Sequence, residues 1–540
     1  MIKRKIYRVL FLMACAICCH LLVQAQAPVF AYVQNANGKA PGAAVATSKK
    51  DIVKKIYEDL LAARGDFRVQ SPELTMNSGQ QYVAWMDGEN TTIGIEEKAF
   101  DICMQMGADS LNAIAALLSH EVVHYYEKHD WTRKFVKDNR DVGSSEAIES
   151  LDESVKQETQ ADYLGGFLAL TAGYNVYGIS ARLLPILYKE YSLDEKLKGY
   201  PSLSDRIKMS QNASEQLKRL QMVFETAQYL SLLEDFETSA VYYRHILKDF
   251  PGREIYNNAG VNSALAALKL FSQKEMPYIL PMEPDPNSRL YALKAGDQDR
   301  IQKRTNLLQD ALKDLDHAAQ LDPDYAPALL NKACCYTLLN AWDDAEYWVR
   351  KYKKCKGSDP SSAMVLEGIL AAMQDDVETA KSTMQKAGNN ALAKANLIVL
   401  GQDQLSPVKK QGTAEIETID DIYLDDFLET LTVDMETKAS SNTTCGAKKF
   451  PSSKILVHCS DNLSEYAVIQ LCGAECNSST QKGIKVGNTA SEVEEKYGAP
   501  IHQLAWKGGF AWTYPHLSLL FEFDDSGKLR TWGCYRQSLN

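Results

Sequence analysis

Hydrophobic positions in the first third of the chain recur at helical spacing. Leu111-Asn-Ala-Ile-Ala-Ala-Leu-Leu-Ser119 is an apolar run of good helix formers without Gly or Pro, and it leads into His120-Glu121-Val122-Val123-His124. A second helical run, from about Ser145 to Thr171, carries Glu158-Thr-Gln-Ala-Asp162 and turns apolar directly after Asp162. Ahead of both, Gln81-Tyr-Val-Ala-Trp85 and Asn90-Thr-Thr-Ile-Gly-Ile95 predict two short strands joined through Asp87-Gly88. The stretch Tyr163 to Tyr188 has Arg182 as its one charge, but Gly165, Gly166, Gly173, Asn175, Gly178 and Pro185 interrupt it, which predicts buried helices rather than a membrane span.

From about Glu225 to Asn390 the pattern becomes pairs of helices with small residues at fixed offsets. Ala311, Leu315, Ala318 and Pro323 close one unit; Ala333, Tyr336, Ala345 and a turn at Asn340–Asp343 make the next, and Gly368, Ala371 and Ala380 follow at the same offsets. A proline-rich insertion, Met276-Pro to Asn287, interrupts the array as either a surface loop or a plug against a neighbour. After Gly412 the chain is acidic, then Ser/Thr/Asn-rich, then β-branched and aromatic. Lys454–Cys459 and Glu465–Cys472 predict a hairpin, Gly483–Gly487 a strand, and the residues up to Gly498 a capped helix with a glycine stop. Trp512–Tyr514, Leu517–Phe523 and Lys528–Trp532 predict further strands. The expected architecture is a signal peptide (1–25), a mainly α domain with a small β-sheet (26–215), an α-helical solenoid (216–400) and a C-terminal α+β domain (401–540).

Residues four apart share a helix face, so His120 and His124 can address one ion while Glu121, a step around, holds a water as general base. A catalytic zinc needs a third protein ligand. Glu158 is the candidate, with Asp162, four residues on, placed to accept the second ring N–H of a ligand histidine. An acid that enters an apolar stretch needs such a partner.

His120-Glu-Val-Val-His124-Tyr-Tyr-Glu-Lys-His129, Glu158-Thr-Gln-Ala-Asp162, Ala172-Gly173-Tyr174-Asn175 and Tyr200-Pro201-Ser-Leu-Ser-Asp-Arg206-Ile207 occur in that order over roughly ninety residues. Together they resemble the HtpX and CAAX-prenyl-protease type of gluzincin metallopeptidase, with its HExxH, ExxAD, AGY and HPxxxxRI blocks. The resemblance implies zinc (Zn2+) held by His120, His124 and Glu158, Glu121 as base and Asp162 behind the ligands. Arg206 reads as a structural ion-pair or substrate-carboxylate residue, and His129 as support for the helix end. The chain departs from the family pattern at Tyr200, which stands where a His is usual; its phenol either donates to an oxyanion or packs.

Lys3, Arg4 and Lys5, the apolar Val9–Val23 and the small-residue site Val23-Gln24-Ala25 predict a secretory signal cleaved to leave Gln26. No mature segment reads as a transmembrane anchor, so the expected compartment is the periplasm. The net charge of −11 speaks against nucleic acid or anionic membrane as the main partner. Cys103, Cys334, Cys335, Cys355, Cys445, Cys459, Cys472, Cys476 and Cys534 follow the signal, and an oxidised pair is expected in the C-terminal domain. His458, His502 and His516 read as surface residues.

The repeats look like tetratricopeptide repeats, and a protease followed by them resembles the periplasmic BepA-like metallopeptidases of outer-membrane protein quality control. The C-terminal Gly483–Pro500 signal resembles the SmpA/OmlA and β-lactamase-inhibitor-like modules, which bind proteins. The expected function is therefore a zinc endopeptidase acting on protein or peptide substrates recruited by the repeats, with envelope or outer-membrane proteins as partners. The alternative is a self-inhibited or non-proteolytic chaperone or scaffold for such proteins.

Overall fold

The computed structural model describes residues 49–87, 91–127, 153–195, 202–282, 297–401, 417–425, 433–506 and 509–538. The expected signal peptide, His129 and Tyr200 lie outside these residues. The chain divides into two compact units, one of Tyr32–Val223 with His245–Arg253, the other containing Phe224–Arg244 and Glu254–Asn540.

The first unit contains α1 (Lys49–Arg64), β1 (Glu73–Asn77), β2 (Ala84–Asp87), β3 (Thr92–Glu96), α2 (Glu97–Met104), α3 (Ser110–Tyr126), α4 (Glu153–Thr171) and α5 (Ile179–Glu190). Its sheet has the order β1-β3-β2, with β1 parallel and β2 antiparallel to β3. The β2–β3 hairpin is the expected one, but β2 begins three residues late. Val83 takes a positive φ of 63°, and the amides of Gln81 and Tyr82 go to Oε1 of Glu96 at 2.9 and 3.1 Å instead of to a ladder. β1 was not anticipated.

Gly165 and Gly166 do not break α4. A Cβ on Gly165 would stand 3.0 Å from the backbone N of His120, so the bare glycine is what lets α4 lie against α3. α4 ends where Gly173, at φ +94°, lets Tyr174 N donate to Ala169 O and Gly173 N to Leu170 O, a Schellman stop that accounts for the glycine of the Ala172–Asn175 block. Pro185 sits inside α5 rather than ending it.

α6 (Leu203–Leu232) contributes Arg206 to the first unit and its residues from Phe224 to the second. The second unit continues with α7 (Phe236–Ile246), α8 (Arg253–Lys269), α9 (Asp297–Leu321), α10 (Ala326–Leu338), α11 (Trp342–Tyr352), α12 (Pro360–Met373), α13 (Val377–Lys386) and α14 (Ala391–Leu400). Small residues set the helix spacing, as expected: a Cβ on Gly260 would meet Leu315 at 2.7 Å, and one on Gly368 would meet Met384 at 2.6 Å.

The C-terminal strands are β4 (Met435–Lys438), β5 (Thr443–Lys449), β6 (Ser453–Ser460), β7 (Tyr466–Cys472), β8 (His502–Trp506), β9 (Gly509–Tyr514), β10 (Leu519–Asp524) and β11 (Leu529–Gln537). They form an antiparallel sheet in the order β4-β5-β6-β7-β11-β10-β9-β8. α15 (Ala490–Tyr497) starts on a Thr489/Glu492 capping box and covers one face through Val493 and Tyr497, against Val457, Trp512, Phe521 and Trp532. Gly483–Gly487 is not the expected strand, because Gly483 and Gly487 turn the chain at φ +80° and +95°. Cys472 is disulfide-bonded to Cys476.

The opposite face of the sheet is buried too. Leu456, Ile469, Leu471, Leu520 and Glu522 point that way and are at most 4% exposed. Helical residues of the same unit meet it: Lys454 pairs with Glu225 at 2.7 Å, and Tyr242 bonds His458 Nδ1 at 2.6 Å. His458 is therefore a buried residue and not the surface residue expected. Among the described residues no helix is long and apolar enough to cross a membrane.

Candidate metal site

α3 and α4 lie together at Gly165, and that contact places the expected residues in one cluster. His120 and His124 sit one helical turn apart on α3, with Nε2 atoms 3.0 Å from each other. Glu158 on α4 presents Oε2 to His120 Nε2 at 3.3 Å and Oε1 to His124 Nε2 at 3.4 Å. On the far side of the His120 ring, Nδ1 meets Asp162 Oδ1 at 2.8 Å. With Nδ1 carrying the proton that bonds Asp162, the Nε2 lone pair is left for the cluster.

These three residues form a group able to hold a metal ion, with donor atoms all within 4.8 Å of one another. The donor set fits zinc. Tetrahedral bonds of about 2.0–2.1 Å place neighbouring ligand atoms roughly 3.3–3.4 Å apart; the two histidine nitrogens are 3.0 Å apart and each has one of the two Glu158 oxygens at 3.3 or 3.4 Å. Two imidazole lone pairs and a carboxylate crowded this closely repel one another unless a cation or a proton lies between them.

The electrostatics reflect that crowding. Burial works against a charge on His120, but hydrogen bonds to Asp162 and Glu158 outweigh it and raise its pKa well above the usual histidine range. Burial works against ionisation of Glu158, yet the two histidines draw its pKa far below the ordinary carboxylate value. Glu121 is raised, mainly by burial. Arg206, reaching in from α6, lies 3.7 Å from Glu158 Oε2; burial opposes its charge, and Asp162 and Glu158 restore and strengthen it.

A cavity of about 720 Å3 opens over the cluster. His120, Glu121, His124, Glu158, Asp162 and Arg206 all line it. One wall is formed by residues 81–86, which lead into and include most of β2, and another is the apolar face of α5 with Leu183, Leu184 and Leu187. No protein family matches this chain, and no curated protein matches it.

Sequence reasoning missed several supports. Trp85 lies across β3 because its partner there is Gly94, whose Cβ position the indole fills at 2.1 Å. Asn112 on α3 accepts from Asn175 N at 3.0 Å and so ties the turn after α4 to the histidine helix. Arg64 of α1, 6% exposed, pairs with Glu127 at the end of α3 at 3.0 Å. A glycine facing a tryptophan in the paired strands was a usable signal for the first; the other two depend on contacts that no local pattern announces.

Proposed function

We propose that this chain is a zinc-dependent endopeptidase. The observation that carries the proposal is the convergence of His120, His124 and Glu158 on one point of a cavity that Glu121 also lines. Zinc held there would supply Lewis acidity to a scissile carbonyl and lower the pKa of a water. Glu121, its pKa raised by burial, takes the proton of the attacking water and hands it to the leaving amine. Asp162 holds His120 in the tautomer that points Nε2 at the cluster. Arg206 places a positive charge beside the carboxylates of Glu158 and Asp162, which in turn hold its own charge against burial.

Among the described residues β2 is an edge strand, which gives a peptide backbone a strand to pair with, and the α5 wall gives an apolar side chain a seat. Cleavage inside a chain, not at its terminus, suits a cleft with an open strand along one side. The wider reading adds export by the N-terminal signal, action in the periplasm on envelope proteins, and tetratricopeptide-like recruitment. The close helix contacts at Gly260 and Gly368 support the last of these.

The test compares the mature chain with Glu121→Gln for bound zinc and for hydrolysis of an unfolded protein. Both are expected to bind one zinc, and turnover in Glu121→Gln is expected to fall by roughly 10³-fold or more. Equal activity in the two chains would end the peptidase reading, and a wild-type chain that takes up no supplied zinc would end the metal site.

A further inference from the structure

Between α8 and α9 the chain runs through Met276-Pro277-Tyr278-Ile279-Leu280-Pro281-Met282 without helix or strand, yet this segment is deeply buried. Met276, Ile279, Leu280 and Met282 are each at most 2% exposed. Pro277 and Pro281 lack amide hydrogens, so neither a helix nor a regular ladder can absorb the segment, which bends at Tyr278 and turns at Pro281 and Met282. Its polar groups are met by side chains instead. The amide of Asn396, on α14 and fully buried, accepts from Ile279 N at 2.7 Å and donates to Ile279 O at 2.8 Å. One side chain thus satisfies both backbone groups of one residue, as a neighbouring strand would.

The segment also crosses several helices. The Cys334 thiol on α10 bonds the backbone of Met282, and Tyr278 packs on Ala372 of α12, Ala380 of α13 and Leu400 of α14. A non-helical peptide laid across successive helices, read through its backbone by an amide and through its apolar side chains, is a way for a helical repeat array to hold a ligand. Upstream the strap is anchored by Glu275, which accepts from Ser272 N at 2.9 Å and is ion-paired to Arg304.

We infer that the Asn396 groove of the helical array is a binding site for a non-helical, apolar, proline-containing peptide, and that residues 276–282 are its resident and displaceable occupant. An incoming peptide must compete with a tethered segment whose effective concentration is on the order of millimolar. The site is therefore closed to weak or dilute ligands and opens to a locally concentrated or multivalent unfolded chain. This holds whether or not the metal site is a peptidase.

Hydrogen exchange on the full chain, read by mass spectrometry, tests it with a synthetic peptide of residues 274–283 as probe. Amides of 278–282 are expected to exchange at least tenfold faster than those of the buried helix 360–373. Their exchange is expected to accelerate further as the peptide is raised through millimolar concentrations, because the probe takes their place. Exchange of the segment in step with helix 360–373 at every peptide concentration would overturn the inference and make the strap a fixed part of the core. In Asn396→Leu the peptide is expected to lose its effect, and an undiminished effect would equally overturn the role of the groove. Should that variant not fold, the wild-type comparison decides alone.

Discussion

At the scale of single residues, Asp162 is the informative one. It accepts from His120 Nδ1 at 2.8 Å and sits behind the metal-binding atoms, so it acts through the orientation and basicity of His120. Asp162→Ala is expected to lower zinc affinity by about 10–100-fold with helical content unchanged. Competition against a chromophoric chelator measures this, and an unaltered affinity would remove Asp162 from the site. His120, His124, Glu158 and Asp162 were legible because a four-residue repeat on a helix is a local property that survives folding. His458 was misread because strand alternation shows which way a side chain points, and not whether that face is covered. Tyr200 lies outside the described residues.

At the scale of elements, the metal site depends on how closely two helices approach. A Cβ on Gly165 would come to 3.0 Å from His120 N and from Ser119 C, both backbone atoms that cannot swing aside. Gly165→Ala gains helix propensity, about 1 kcal/mol, but forces α4 away from α3. The expected net result is a loss of roughly 1–3 kcal/mol of stability together with weaker zinc binding. Denaturant unfolding of the metal-free chain and a zinc titration read the two effects separately. A variant more stable than wild type, with full zinc affinity, would show that the helices do not need the glycine. The helices themselves were legible from periodicity, and the capped helix after Thr489 from its capping box. β1 and the strands β4 and β5 were not, because their alternation of apolar and polar positions is weak.

At the scale of the whole molecule, the C-terminal sheet is not a free-standing module in the second unit: both of its faces are buried. The contact of Tyr242 with His458 on its second face gives a pH signature. Tyr242 donates to Thr444 O at 3.1 Å, which leaves its oxygen to accept from His458 Nδ1–H and strands the buried Nε2 without a partner. Burial brings the histidine pKa down to about 4. Between the unfolded value near 6.5 and that folded value, the unfolded chain binds the extra proton and the folded chain does not. Stability from this group is thus complete above about pH 6.5 and falls as the pH drops toward 4, by about 3 kcal/mol in all. Urea midpoints at pH 7 and 4.5 should separate wild type from His458→Asn, with the steeper acid loss in wild type; parallel losses would show that His458 does not titrate in this interval.

The short edge strand has a consequence for selectivity. Because Val83 turns away and Glu96 occupies the amides of Gln81 and Tyr82, the rail beside the cluster is, among the described residues, Ala84–Asp87. Alternate residues of an edge face outward, so this rail can grip a polypeptide at two positions. So small a footprint cannot spell out a long recognition sequence. On the proposed reading, choice among cleavage points falls to the leucines of the opposite wall and to whatever delivers the chain to the cleft. The catalyst itself would be a generalist, and its discrimination would be exercised before a polypeptide arrives.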